Sequence, residues 1–94
     1  MKRLENKIIV VTGAGSGIGK ATAEALAKEN ARLTLTDINF ENVEKVAQQI
    51  NEAGGEAIAI KHNVADEEEW KKVIAETEAH YGPIAGLINN AGIL

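Results

Sequence analysis

The order of apolar segments along the chain constrains the fold more than any other feature. Short runs rich in β-branched and other aliphatic residues alternate with longer stretches of helical period, and four of the runs, at residues 7–12, 32–36, 57–60 and 85–88, are predicted strands. Unbroken apolar runs of this length are typical of strands that are buried on both faces of a parallel sheet. The alternation β-α-β-α-β-α-β therefore predicts an α/β fold.

The three intervening stretches each place apolar residues on one helical face. The predicted faces are Ile18, Ala21, Ala25 and Leu26 in the first helix; Val43, Val46, Ala47 and Ile50 in the second; and Trp70, Val73, Ile74 and Thr77 in the third.

Residues that favour helix ends occur at the predicted boundaries. Asn39 is predicted to cap the second helix, and Asp66 with Glu69 predicts a capping-box-like start of the third. Gly54-Gly55 and Gly82-Pro83 are expected to end those two helices, and Asn30 to turn the chain after the first. The short connections predict one domain over residues 1–94, with a four-stranded parallel sheet of order 3-2-1-4 and three helices, half of a doubly wound sheet.

A glycine-rich segment, residues 12–19, joins the first predicted strand to the first helix. A dinucleotide pyrophosphate is attracted to the free N–H groups and positive end of a helix N-terminus, and small residues let the backbone approach it. Gly13 is expected to turn the chain sharply, Gly17 to allow close approach of the phosphates, and Gly19 to let the helix pack on the sheet. A P-loop is excluded because Ala21 lacks the hydroxyl that its motif requires.

Asp37 ends the second predicted strand, about twenty residues after the glycine segment. A carboxylate there is expected to accept hydrogen bonds from the adenosine ribose and to repel a 2′-phosphate. Ala14, Ser16 and Ile38 offer no positive charge to hold such a phosphate, so the cofactor is predicted to be NAD. The alternative is a turn aspartate ahead of Asn39.

Composition narrows the function further. The chain has 94 residues, a net charge of −4 and no cysteine, which excludes disulfides and cysteine-bound metals and gives no attraction to nucleic acid or anionic membranes. His62 and His80 are isolated, so no metal site is predicted and packing at the surface or at a strand edge is expected for them. No apolar run is long enough to span a bilayer, and a cytoplasmic location is expected.

Two motifs together resemble a known family. Thr12-Gly13-x-x-x-Gly17-x-Gly19, followed much later by Asn89-Asn90-Ala91-Gly92, is similar to the paired motifs of the short-chain dehydrogenases/reductases. The resemblance covers essentially the whole chain and implies the nucleotide-binding half of a Rossmann fold, with NAD as cofactor and oxidoreduction of an alcohol or ketone as the activity of the parent protein.

The resemblance also implies residue roles. The pyrophosphate and a ribose would be held at the glycine segment, adenosine between Asp37 and Ile38, and adenine at the Asn63-Val64 pair. Residues 90–92 would lie near the second ribose and the sheet. Asn63 stands where the family usually has Asp, so its Oδ1 would accept from the adenine amine without a charge. The complete set of implied cofactor-binding residues is Gly13, Ser16, Gly17, Ile18, Gly19, Asp37, Ile38, Asn63, Val64, Asn90, Ala91 and Gly92.

The family's catalytic residues, in contrast, are not found. The resemblance implies a Ser, and a Tyr-x-x-x-Lys pair in which Lys lowers the pKa of Tyr. The one tyrosine here, Tyr81, is followed at the required spacing by Ala85, and the one serine, Ser16, belongs to the glycine segment. Tyr81 is expected to be a packing residue, and the chain is expected to be a truncated, catalytically incomplete portion of the family fold.

The fourth strand is expected to be an exposed apolar edge, because the family places a fifth strand beside it. We expect a homodimer or higher oligomer formed through that strand. A non-catalytic nucleotide-binding or self-assembling half-Rossmann module is the alternative function. An S-adenosylmethionine-binding protein would share the glycine segment and the acid, but residues 89–92 argue against it.

Overall fold

A computed structural model describes residues 4–90, which form one α/β unit. Its elements, in chain order, are β1 (Ile8–Thr12), α1 (Gly17–Lys28), β2 (Arg32–Asp37), α2 (Phe40–Glu52), β3 (Glu56–Lys61), α3 (Glu67–His80) and β4 (Gly86–Asn89). All four predicted strands are confirmed, each to within one residue at either end. No helix in this part of the chain is long and apolar enough to cross a membrane.

The sheet is parallel and has the order β3-β2-β1-β4, as predicted. In register, Thr12 at the end of β1 lies opposite Thr36 of β2 and Asn89 of β4. The chain runs outwards from β1 to β3 and then crosses back to the other side of β1. The carboxyl ends of β1 and β4 therefore meet at the point where the strand order reverses.

Helices cover both faces of the sheet. The larger core lies under α1 and α2, where Val11, Leu33 and Leu35 are fully buried with Val43 of α2. The smaller core lies under α3 and joins Val10, Ile60 and Val73. Threonines make the α3 side more polar, since the buried hydroxyl of Thr77 donates to that of Thr34 at 2.9 Å.

The predicted helix ends are largely confirmed. Asn39 caps α2 by accepting from the Asn42 amide at 3.2 Å, and Asp66 caps α3 by accepting from the amides of Glu68 and Glu69. The capping box itself is incomplete, because the Glu69 carboxylate accepts from the Asn63 amide at 2.6 Å and not from Asp66. Asn30 has the left-handed conformation predicted for it, with φ of 64°.

The predicted faces of two helices require correction. In α1 the buried residues are Gly19 and Ala23, whereas Ile18 is 77% exposed and Ala21 and Ala25 are exposed. Gly19 decides this orientation because it packs directly on the backbone of Gly13, where a side chain has no room. In α3, Val73 and Thr77 are buried as predicted. Ile74, the neighbour of Val73, is instead 44% exposed and lies beside the buried face of the helix.

Candidate functional site

The candidate site lies at the carboxyl ends of the parallel strands, beside β1 and β4, where the strand order reverses. Parallel sheets of this type bind ligands in the crevice formed at such a reversal of strand order. The glycine segment after β1, Asp37 at the end of β2, the Asn63-Val64 pair after β3 and Asn90 after β4 all lie at this edge. The topology thus brings the predicted site residues of the described chain to one side of the molecule.

The glycine segment makes a tight turn between β1 and α1. Gly13 and Gly17 have positive φ values of 64° and 59°, which glycine adopts without the steric cost that a side chain would add. A Cβ on Gly19 would overlap with the carbonyl oxygen of Gly13. Two of the three roles expected of these glycines, the sharp turn at Gly13 and the close helix packing at Gly19, are therefore visible in the geometry.

The N-terminus of α1 differs from those of the other two helices. Its N-cap, Ser16, makes no side-chain hydrogen bond to the helix, and no acidic residue occupies the first turn. The N–H groups of Gly17, Ile18 and Gly19 have no partner within the helix. Helices α2 and α3 have both a side-chain cap and acidic first-turn residues. The positive end of α1 is thus the one in the described chain with no side-chain cap and no neighbouring carboxylate in its first turn.

Asp37 joins the glycine turn to the end of β2. Its Oδ2 accepts a hydrogen bond of 2.9 Å from the Gly15 amide, and its Oδ1 accepts one of 3.0 Å from the Asn39 amide. The bond to Asn39 is the turn interaction considered as the alternative role, whereas the bond to Gly15 directs the carboxylate to the glycine turn. The Ala14 amide also donates to the Thr36 carbonyl, at 3.0 Å. Ile38 follows as an exposed apolar residue.

The predicted adenine-binding pair, Asn63 and Val64, lies in the loop of residues 63–65 after β3, the adenine loop. The amide of Asn63 is held by Glu69, and the Oδ1 of Asn63 accepts from the Ala65 amide at 3.0 Å. This second bond fixes the side-chain oxygen and leaves one of its two lone pairs for a ligand. The carbonyl of Val64 accepts a hydrogen bond of 2.6 Å from the indole nitrogen of Trp70.

The end of β4 completes the described part of the site. The hydroxyl of Thr12 donates to the Asn89 side-chain oxygen at 2.7 Å, which ties β1 and β4 together at their carboxyl ends. Asn90 follows, with its Nδ2 buried and without a hydrogen-bond partner among residues 4–90. The predicted contacts at Ala91 and Gly92 lie outside the described residues.

His62 lies at the end of the edge strand β3, as one of the two expectations for it had it, but the other, a surface position, is wrong. It is 1% exposed, and its Nδ1 shares a hydrogen bond of 3.0 Å with the Thr36 hydroxyl. Its ring meets that of Trp70 edge to face, with centroids 4.4 Å apart. Burial holds the pKa of His62 below its usual value, against the opposite effect of Glu69 and Asp66. The signal that could have shown this is the alternation Ile58, Ile60, His62, which puts the imidazole on the α3 face.

Tyr81 is a packing residue, as expected. Its hydroxyl donates to the Leu33 carbonyl at 3.2 Å, and burial raises its pKa to about 12.

No group of acidic, histidine or cysteine side chains in residues 4–90 could hold a metal. A groove of about 470 Å³ lies between the carboxyl ends of α1 and α2, at the amino ends of the strands, and none of the predicted site residues lines it.

Comparison with known proteins agrees with this geometry. The model of the short chain dehydrogenase family matches residues 7–94. Cyclohexanol dehydrogenase from Acinetobacter is 41% identical over 98% of the chain, and the chain spans 37% of that protein's length.

Two crystal structures are similar to the chain. One is a hydroxysteroid dehydrogenase from Escherichia coli, with a TM-score of 0.90 and 32% identity over 94% of this chain and 37% of its own. The other is a proposed D-mannonate oxidoreductase from Haemophilus influenza with bound NAD, with a TM-score of 0.85 and 43% identity over 89% of this chain and 30% of its own. The match to the family model, the sheet order and the glycine turn agree, and the chain belongs to the short chain dehydrogenase family.

Proposed function

We propose that residues 1–94 form a domain that binds the adenosine diphosphate half of NAD, as the cofactor-binding portion of an oxidoreductase acting on alcohols or ketones. The family match and the NAD bound to a relative of 43% identity support this proposal. NAD bound at this site would supply the hydride acceptor, and the residues of this chain would bind and orient it.

The observation that carries the proposal is the hydrogen bond from the Gly15 amide to Asp37. It brings a carboxylate to within one hydrogen bond of the turn that leads into the uncapped helix α1. The turn and helix end suit a pyrophosphate, and an acceptor beside them suits the ribose hydroxyls of the same nucleotide. The residues present therefore fit a dinucleotide.

Asp37 also supports NAD over NADP. A 2′-phosphate at the ribose would meet the negative charge of this carboxylate, and like charges in close contact repel. Neither Ser16 nor the exposed Ile38 offers a cation in compensation.

Calorimetric titration with NAD, NADP and ADP tests the proposal. We expect ADP and NAD to bind with similar affinity, because the described contacts are made to the half that they share, and NADP to bind more weakly. Equal binding of NAD and NADP would contradict the role of Asp37. Binding of S-adenosylmethionine in preference to all three would contradict the proposed function itself.

Tyr81 does not suit the acid–base chemistry of the parent reaction. A tyrosine that transfers a proton near neutral pH needs a lowered pKa, whereas the pKa of Tyr81 is raised by burial to about 12. Its hydroxyl is engaged with Leu33. We expect the chain, assayed alone with NAD and secondary alcohols, to show no dehydrogenase activity, and measurable turnover would contradict this assignment.

A further inference from the structure

We propose that His62 is a positioning residue that sets the adenine loop through Trp70, and so determines how well the site distinguishes adenine from other purines. The inference rests on the proposed function, because it concerns the base-binding part of that site. His62 itself is buried and is not expected to contact the ligand.

The first step is the anchoring of the imidazole. His62 follows β3 and has the same facing as Ile58 and Ile60, so its ring lies between the sheet and α3. The hydrogen bond between its Nδ1 and the Thr36 hydroxyl fixes the ring plane from the β2 side. Its backbone amide donates to the Asp37 carbonyl at 3.0 Å, which ties the same residue to the ribose side of the site.

The second step is the contact from the imidazole to the indole. The two rings are nearly perpendicular, at 88°, with centroids 4.4 Å apart, which is a favourable edge-to-face arrangement. Trp70 lies half-buried in the first turns of α3 and turns its indole toward the sheet side, where this ring contact is made. Because the imidazole is itself held by Thr36, it offers the indole a fixed surface to pack against.

The third step connects the indole to the loop. The Trp70 Nε1 donates to the Val64 carbonyl at 2.6 Å, and the neighbouring Glu69 carboxylate accepts from the Asn63 amide. These two bonds are made by adjacent residues of α3 to adjacent residues of the loop. A shift of the indole would therefore move the Val64 peptide and, with it, the Asn63 side chain that is expected to accept from the adenine amine.

Two diphosphates that differ at one group of the base provide the test. ADP and inosine diphosphate share ribose and phosphates, but the adenine amine is replaced by a carbonyl in hypoxanthine. The measured quantity is the ratio of their dissociation constants for each protein, found by calorimetry. A change in this ratio reports on the base, whereas a general loss of folded protein weakens both ligands equally.

His62→Leu fills the same space with an apolar side chain but removes the aromatic edge. We expect it to fold and its preference for ADP over inosine diphosphate to fall about fivefold, the order expected when one hydrogen bond is weakened. His62→Phe restores an aromatic ring against Trp70 and is expected to retain the preference of the unchanged protein. His80→Leu is the matched control, because it removes the other histidine, which is exposed in the last turn of α3.

A preference in His62→Leu equal to that of the unchanged protein would overturn the inference, as would an equal loss in His62→Leu and His62→Phe. If His62→Leu does not fold, Thr36→Val replaces it, since this isosteric change frees the imidazole and is expected to lower the preference about twofold by loss of one weak hydrogen bond. An unchanged preference in Thr36→Val would then overturn the inference. If the unchanged protein binds neither diphosphate, the proposed function is wrong and the inference is overturned with it.

Discussion

At the scale of single residues, Asp37 is central to the candidate site because both its oxygens are already held by backbone amides. The amides of Gly15 and Asn39 fix the carboxylate before any ligand arrives. A preorganised acceptor loses little conformational freedom on binding, so a larger part of the interaction with a ribose hydroxyl appears as affinity. The turn role and the ligand role of this aspartate are therefore compatible.

Asp37→Asn should weaken NAD binding by about 1–2 kcal/mol, the order of a hydrogen bond to a charged group at a partly exposed site. The same change should bring the NADP affinity closer to that of NAD, because the repulsive charge is removed. Titration of both cofactors against this variant measures the two effects. Glu44→Gln, an exposed acid on α2, is the control for a general change in net charge. A variant that retained the original NAD-to-NADP ratio would contradict the assignment.

The glycines of the turn differ in what a methyl group would meet. Gly19→Ala places a Cβ against the Gly13 carbonyl oxygen, so α1 must move away from the turn, and we expect a loss of about 3 kcal/mol or more in the free energy of unfolding. Gly17→Ala meets no atom within 4 Å and should cost only about 1 kcal/mol for its positive φ. Urea unfolding measures both. Gly54→Ala, also at positive φ and in open space, is the control, and equal losses in all three variants would refute this ranking.

At the scale of elements, the sequence predicts strands better than helix faces. Strands such as β1 are apolar throughout and need only to be recognised, whereas the facing of α1 depends on a backbone contact between Gly19 and Gly13. Glycine has no side chain and so carries no hydrophobic signal, and periodicity therefore predicts that the more apolar Ile18 faces the sheet. The burial of His62 is hard to predict for a related reason. A polar residue just after a strand is usually exposed, and only the alternation Ile58, Ile60, His62 indicates that this one faces the core.

The packing of α3 on the sheet makes stability depend on the protonation of His62. Its folded-state pKa lies below the usual value of 6.5, chiefly because of burial, and the carboxylates of Glu69 and Asp66 only partly oppose this. The unfolded chain therefore binds a proton at a higher pH than the folded one. The stability that His62 contributes is fully present above about pH 6.5 and is lost as the pH falls through the folded-state pKa.

His62→Phe removes this proton uptake while keeping a ring in place. We expect the unchanged protein to lose more unfolding free energy than His62→Phe between pH 7.5 and pH 5, in urea titrations at each pH. His80→Leu keeps His62 and is the control for the loss of a histidine. Parallel pH profiles for the unchanged protein and His62→Phe would show that the buried imidazole does not titrate in this range.

At the scale of the whole molecule, the two faces of the sheet are unequally covered. Beneath α1 and α2 the core is continuous, whereas on the side of α3 the smaller core leaves Ile84 partly exposed. Ile74 of α3 and Leu87 of β4 are 44% and 55% exposed. Among the described residues, β4 pairs with β1 alone, so its outer edge offers backbone donors and acceptors to a further strand.

An apolar strand with a free edge favours pairing with a second copy, in which two β4 edges meet about a twofold axis. We therefore predict that this chain, prepared alone, associates into dimers or larger species as its concentration rises, which sedimentation equilibrium measures. Leu87→Lys places a charge on that edge and should shift the distribution toward monomer. Ile38→Lys removes an apolar residue of similar exposure, 64%, from the loop after β2, a strand that does not pair with β4, and should leave association unchanged. A monomer at all concentrations, or equal effects of the two lysines, would show that the β4 edge is not the associating surface.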